Sequence, residues 1–180
     1  MKNKIIKVSF NGISLQNVNS GADGDITFSG YGCHFNKINE NGEMVDAKSF
    51  EKFFEKLKQN SIMPTLNYMH TSTIIGGWDS IEADDTGLLC HGRINKDVQF
   101  CKDTVIPLML AGQLNYLSTE GFCSWSDVED VEGGIKLNNF LLTAISLVAL
   151  PADLETKINI QNFIKERQNS KITTNQLLFI

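Results

Sequence analysis

Residues 64–94 read PTLNYMHTSTIIGGWDSIEADDTGLLCHGRI. Pro64 opens a strand through TLNYMH, since a residue with fixed φ and no N–H suits the first position of a strand and not its middle. Two more strand-like runs follow, IIGGWDSIEA and GLLCHGRI, joined by Asp84-Asp85-Thr86-Gly87. Aspartates followed by glycine are tight-turn chemistry, so the pair of carboxylates reads as a hairpin turn and not as an acid–base couple. Three strands in so short a stretch predict a mainly β chain.

Working outward, 24–35 (GDITFSGYGCHF) alternates Ile26 and Phe28 with Tyr31, Cys33 and Phe35 across glycines, and opens the sheet. Residues 4–10 and 13–18 read as short strands before it. After a polar loop, Asp46 is a helix N-cap, and Phe50, Phe53, Phe54 and Leu57 fall at i, i+3, i+4 and i+7, one apolar face that ends near Asn60. A second helix is predicted within 97–112, begun or kinked by Pro107 and stopped by Gly112. Strands follow at 114–126 and 134–150, with the acidic segment DVEDVEGG between them read as a solvated loop. Past Pro151 the chain turns polar, with a short helical pattern at Ile160, Phe163 and Ile164 and a tail, NSKITTNQLLFI, whose apolar end has no obvious core to join.

A length of 180 residues predicts one domain with a proper core. The formal charge of −5 comes without a basic run, which argues against a nucleic-acid partner. The near-apolar stretch from Phe140 to Leu150 is too short to cross a bilayer, so no membrane is expected. The N-terminus, MKNKIIKVSF, has no apolar core or cleavage site of a secretory signal. Cys33, Cys90, Cys101 and Cys123 are scattered and form no CxxC pair, which predicts structural thiols in a reducing compartment, no disulfide scaffold and no metal site.

Among three histidines, His70 stands at the end of a predicted strand before a Thr-Ser-Thr loop, where rigid backbone can hold a reactive side chain at the solvent. His34 and His91 read as strand histidines on partly wet faces. No GxSxG elbow, papain-like cysteine signature, GxGxxG or P-loop is present, so residue patterns alone leave the nucleophile open.

Five phrases in order narrow it: GYGCHF from Gly30, VDAKSFEKFFEKL from Val45, NYMH with IIGGWDSIEADDTGLLCHGRI, AGQLNYLSTEGF from Ala111, and TAISLVALPAD from Thr143. Together, over about 24–158, they resemble the prohead maturation serine proteases of tailed bacteriophages, relatives of herpesvirus assemblin. The resemblance implies an α+β, mainly β fold, a small assemblin-like β-barrel surrounded by helices. It also implies a protease domain over 1–158, with 159–180 as a C-terminal tail open to self-processing. The implied activity is that of a serine endopeptidase, cleaving scaffold or capsid-protein extensions, and itself, inside the prohead as it assembles in the bacterial host cytoplasm. His70 matches the general base and Ser118 the nucleophile, preferred over Thr119, Ser124 and Ser126. No metal or organic cofactor is implied, and viral relatives that pair through a helix suggest a homodimer. The related viral fold also points to oxyanion donors near Pro151-Ala152-Asp153.

Two departures from the family pattern stand out. STEGF is one residue longer than the family phrase, which implies either a bulge that re-aims Ser118 or a shift of the match to another residue. The family's acidic third member falls on Ala144, leaving Ser146, on the same strand face, or else water or a backbone carbonyl, to orient the imidazole. The alternative reading is a catalytically weakened relative with a structural role in head assembly. A third class, a cysteine enzyme using Cys123 or Cys33, predicts sensitivity to thiol alkylation.

Overall fold

The structure is a computed structural model that describes residues 26–60 and 63–160. The strands expected at 4–10 and 13–18 and the helical pattern beyond Ile160 lie outside these residues. Ten strands are described: β1 (Ile26–His34), β2 (Glu43–Met44), β3 (Thr65–Tyr68), β4 (Ile74–Ala83), β5 (Gly87–Ile94), β6 (Tyr116–Phe122), β7 (Val128–Val131), β8 (Gly134–Leu137), β9 (Leu141–Val148) and β10 (Asn159–Ile160). The helices are α1 (Glu51–Asn60) and α2 (Ile106–Leu110).

Local chemistry sets these elements. The Asp46 carboxylate accepts the Ser49 N–H at 2.9 Å while Ser49 Oγ accepts the Asp46 N–H at 3.0 Å, a reciprocal cap that starts a 3-10 turn over Ala47–Phe50 and leads into α1. α1 buries Phe53, Phe54 and Leu57, as its spacing predicts. Phe50 is fully buried, with ring centroids 5.9 Å from Phe35 and 5.7 Å from Phe140. Each such ring contributes about 1.5–3 kcal/mol through burial. The β4–β5 turn forms as expected: Asp84 Oδ1 accepts the N–H groups of Thr86 and Gly87 at 2.7 and 2.9 Å.

Seven strands form one sheet in the order β10-β1-β5-β4-β3-β9-β6. β3 and β9 run parallel, and the other pairs run antiparallel. The sheet curls until β1 faces β6, so that a Cβ on Gly32 would lie 3.2 Å from Thr119 Cγ2. Residues 156–160 bridge the seam. Leu117 N–H donates to Thr156 O and Ile158 N–H to Asn115 O, and the chain then pairs with β1 as β10. The result is a curled half-barrel with two short helices against it, the mainly β fold expected. A second sheet, β2-β8-β7, lies beside it.

Two details differ from expectation. The acidic segment DVEDVEGG is a hairpin arm and not a solvated loop: β7 pairs antiparallel with β8 through a turn in which Gly133 takes φ +87°. Its two valines are half-buried while Glu129 and Asp130 stay exposed, so charge on one edge coexists with pairing on the other. The second helical segment carries a π-turn over Cys101–Val105 that runs directly into α2, and Pro107, which lacks an N–H, stands just past that junction. Gly112, with φ +69°, ends this helical segment.

Candidate active site

The parallel β3–β9 pair sets Asn67 opposite Ser146 and Tyr68 opposite Leu147, and the chain then leaves β3 in a tight turn. Met69 and His70 take φ +49° and +58°. Left-handed backbone costs a residue with a Cβ roughly 1–2 kcal/mol, so two in succession need support. β9 supplies it: Met69 N–H donates to Leu147 O at 3.0 Å and His70 N–H to Ser146 Oγ at 3.2 Å. Within the turn, the Thr71 hydroxyl donates to Tyr68 O at 2.6 Å. His70 therefore sits in a braced turn two residues past the end of β3, and not at a strand end as expected.

On the other side of β9, β6 pairs in regular antiparallel register, with Ser118 opposite Ser146 and Glu120 opposite Ala144. Residues directly opposite share a sheet face, so Ser118, Glu120, Ala144 and Ser146 stand together, with Ser118 and Ser146 Cβ atoms about 4.5–5.5 Å apart. The Glu120 side chain reaches across β9, and its Oε1 lies 3.0 Å from His70 Nδ1. The same oxygen accepts the Ser146 hydroxyl. His70 and Glu120 are 45% and 31% exposed, so water screens the pair and its value lies in geometry more than in stability.

The predicted residues are thus drawn onto one face. Among the described residues no hydrogen bond joins His70 to Ser118; catalytic bonds of this kind commonly tighten only once substrate is bound. Ser146 meets the backbone of His70 and the Glu120 carboxylate, so its hydroxyl braces the turn and not the ring. The irregularity expected near Ser118 lies instead in β9, where Thr143 is skipped between the Glu120–Ala144 and Gly121–Leu142 pairs and donates its hydroxyl to Glu120 O at 3.2 Å. Thr119 points to the opposite face, towards Gly32, and Ser124 and Ser126 bond to each other at 2.9 Å.

The β6 segment from Leu117 to Gly121, Ser118 and Glu120 included, lines an open groove of about 500 Å³ at the seam between β6 and β1, walled across from it by His34, Ala152 and Asp153; His70 lies outside its lining. His34 is buried, and its Nδ1 and N–H both meet Asp153 Oδ2, at 2.8 and 2.7 Å. This tie locks the turn after β9 to the end of β1. Sequence reading took His34 for a partly wet strand histidine; its partner lies far along the chain, and only the curled sheet brings the two together. Among the described residues no cluster of three His, Cys, Asp or Glu side chains is placed to hold a metal, and no helix is long and apolar enough to cross a membrane.

Residues 13–171 match the caudovirus prohead serine protease family. The chain belongs to that family. Among solved structures, this prohead serine protease resembles the bacteriophage T4 capsid assembly protease, with a TM-score of 0.58 at 15% identity over 82% of this chain and 92% of that one. The KSHV protease, solved with a hexapeptide phosphonate inhibitor, gives a TM-score of 0.46 at 13% identity over 77% of this chain and 65% of that one. The varicella-zoster virus protease gives 0.46 at 15% identity over 78% and 66%. No curated protein matches the sequence. At these identities the T4 likeness speaks for the fold, and the family match is what makes this chain a serine peptidase of the prohead type.

Glu120 is the site residue that sequence reading missed. Its signal was present: it stands two positions after Ser118 on a strand, hence on the same face. The family's acidic position falls on Ala144 of β9, whereas Glu120 stands on the neighbouring strand. The thiols fit the structural reading. Burial pushes Cys33 up to about 12, and it pushes Cys90, Cys101 and Cys123 upward as well, so none is a ready thiolate.

Proposed function

We propose that this chain is a working endopeptidase of phage head maturation, with Ser118 as nucleophile and His70 as general base. It acts inside the prohead, assembled in the bacterial cytoplasm, on extensions of the capsid or scaffold protein. The observation that carries this reading is the chain of contacts from His70 N–H to Ser146 Oγ and, across the β9–β6 ladder, to Ser118 directly opposite.

The chemistry follows from the residue types. His70 takes the Ser118 hydroxyl proton as Oγ attacks the scissile carbonyl; the C–N bond then breaks and the same proton passes to the leaving amine. Water repeats the sequence on the acyl-enzyme. β6 is the last strand of its sheet, and beyond Leu117 its outer edge opens on the groove that holds Ser118. An extended segment of a capsid or scaffold protein fits such an edge by strand addition, with its backbone paired and its side chains alternating into the groove.

A fluorophosphonate probe tests the assignment without knowledge of the cleavage sequence. Ser118 Oγ forms a bond to phosphorus as fluoride leaves, and His70 removes the hydroxyl proton. Intact-mass and peptide analysis of the wild type should show one adduct, on Ser118, absent from Ser118→Ala and strongly slowed in His70→Ala. A wild-type protein that takes no adduct at Ser118 would favour the structural relative.

A further inference from the structure

We propose that Glu120 is the positioning residue for His70, and that it supplies from β6 the carboxylate that β9 lacks at Ala144. The proposal rests on the His70–Ser118 assignment above and goes beyond it by naming what orients the base. Three observations converge. Glu120 Oε1 lies 3.0 Å from His70 Nδ1. The Ser146 hydroxyl donates to that same oxygen while accepting the His70 backbone N–H, so two hydrogen bonds tie Ser146 to Glu120 and to His70 beside the 3.0 Å approach of the carboxylate to the ring. Ala144, directly opposite Glu120 in the ladder, carries a single methyl group and no carboxylate.

The consequence is a favoured tautomer. A carboxylate 3.0 Å from Nδ1 favours the tautomer with its proton on that nitrogen, which leaves the Nε2 lone pair on the far side of the imidazole. When the ring takes up the Ser118 proton, the same carboxylate faces the new positive charge. The Ser146 hydroxyl binds Oε1, the same oxygen that approaches the ring. Glu120 acts on the reaction through His70 and touches no substrate atom in this role.

The test measures the fluorophosphonate reaction at Ser118 as a function of probe concentration, separating the limiting rate from the half-saturating concentration. Glu120→Gln keeps size and shape but offers an amide. Its limiting rate should fall about 10²–10⁴-fold, the upper end being the loss seen when a triad aspartate becomes an amide. The half-saturating concentration and the thermal midpoint should stay near those of the wild type. Glu120→Ala, which opens a gap beside a half-exposed imidazole, should recover part of its rate in added formate, and a residue with a purely structural role would not respond to it. A Glu120→Gln protein labelled at the wild-type rate, or a Glu120→Ala protein indifferent to formate, would overturn the proposal. Wild-type protein that fails to label at Ser118 would instead overturn the assignment on which the proposal rests.

Discussion

Glu120 faces Ala144 across the β6–β9 ladder, and its carboxylate meets the Ser146 hydroxyl of β9 and the His70 ring beyond that strand. A carboxylate at 144 would rise from the middle strand; the one at 120 arrives from its neighbour. Sheet geometry makes the two positions near equivalents, because residues directly opposite on adjacent strands share a face at about 4.5–5.5 Å.

The Ser146 hydroxyl holds both the backbone of His70 and the carboxylate of Glu120, and it is fully buried. Ser146→Ala should therefore slow the labelling of Ser118 about tenfold or more, as expected when a charge-assisted bond worth about 1.5–3 kcal/mol is lost. Labelling kinetics together with circular dichroism check this, since the fold should stay intact.

The tie between His34 and Asp153 predicts acid sensitivity. Burial alone would push the Asp153 carboxyl up, but the His34 ring, the His34 N–H and the Glu155 N–H outweigh it and hold the carboxyl below its ordinary value. A folded-state value below the unfolded one means that this stabilisation is present above the unfolded carboxyl value of about 3.9. It is lost as pH falls through the lower folded value. Asp153→Asn should cost about 1–3 kcal/mol at neutral pH and flatten the acid limb of the stability curve. Urea unfolding between neutral pH and pH 2.5 reads both effects.

Gly121 sits where β6 meets the irregular step in β9. A Cβ there would run into Leu141 O and come within 2.8 Å of the Phe140 ring. Gly121→Ala should lower stability by about 1–3 kcal/mol through overpacking and displace Glu120, its neighbour, from His70. Thermal unfolding and the Ser118 labelling rate should fall together.

Because burial raises all four thiols, iodoacetamide should leave native activity unchanged while fluorophosphonate abolishes it. The reverse pattern would restore the cysteine-enzyme reading.

Much of this arrangement was readable in the chain. The cap at Asp46, the phenylalanine face of α1 and the Asp84–Gly87 turn depend on neighbours a few residues away, and local chemistry decides them. His70 and Ser118 were reached through ordered phrases that resemble a family, because no residue pattern within the chain singles out one serine from many. The β7–β8 hairpin escaped because its exposed edge carries Glu129 and Asp130, so composition pointed to a loop while pairing occurs on the other side. The His34–Asp153 tie and the reach of Glu120 to His70 escaped for a shared reason: each joins residues distant in sequence, and each depends on sheet curl and strand order. Neither is encoded in any short window.

The most direct measurement is co-expression of the protein with the capsid or scaffold protein of its own phage, followed by intact-mass analysis of every chain, for the wild type and for Ser118→Ala. The account predicts discrete truncations in the wild type that vanish in Ser118→Ala. Identical uncut chains in both, or cuts that persist in Ser118→Ala, would contradict it.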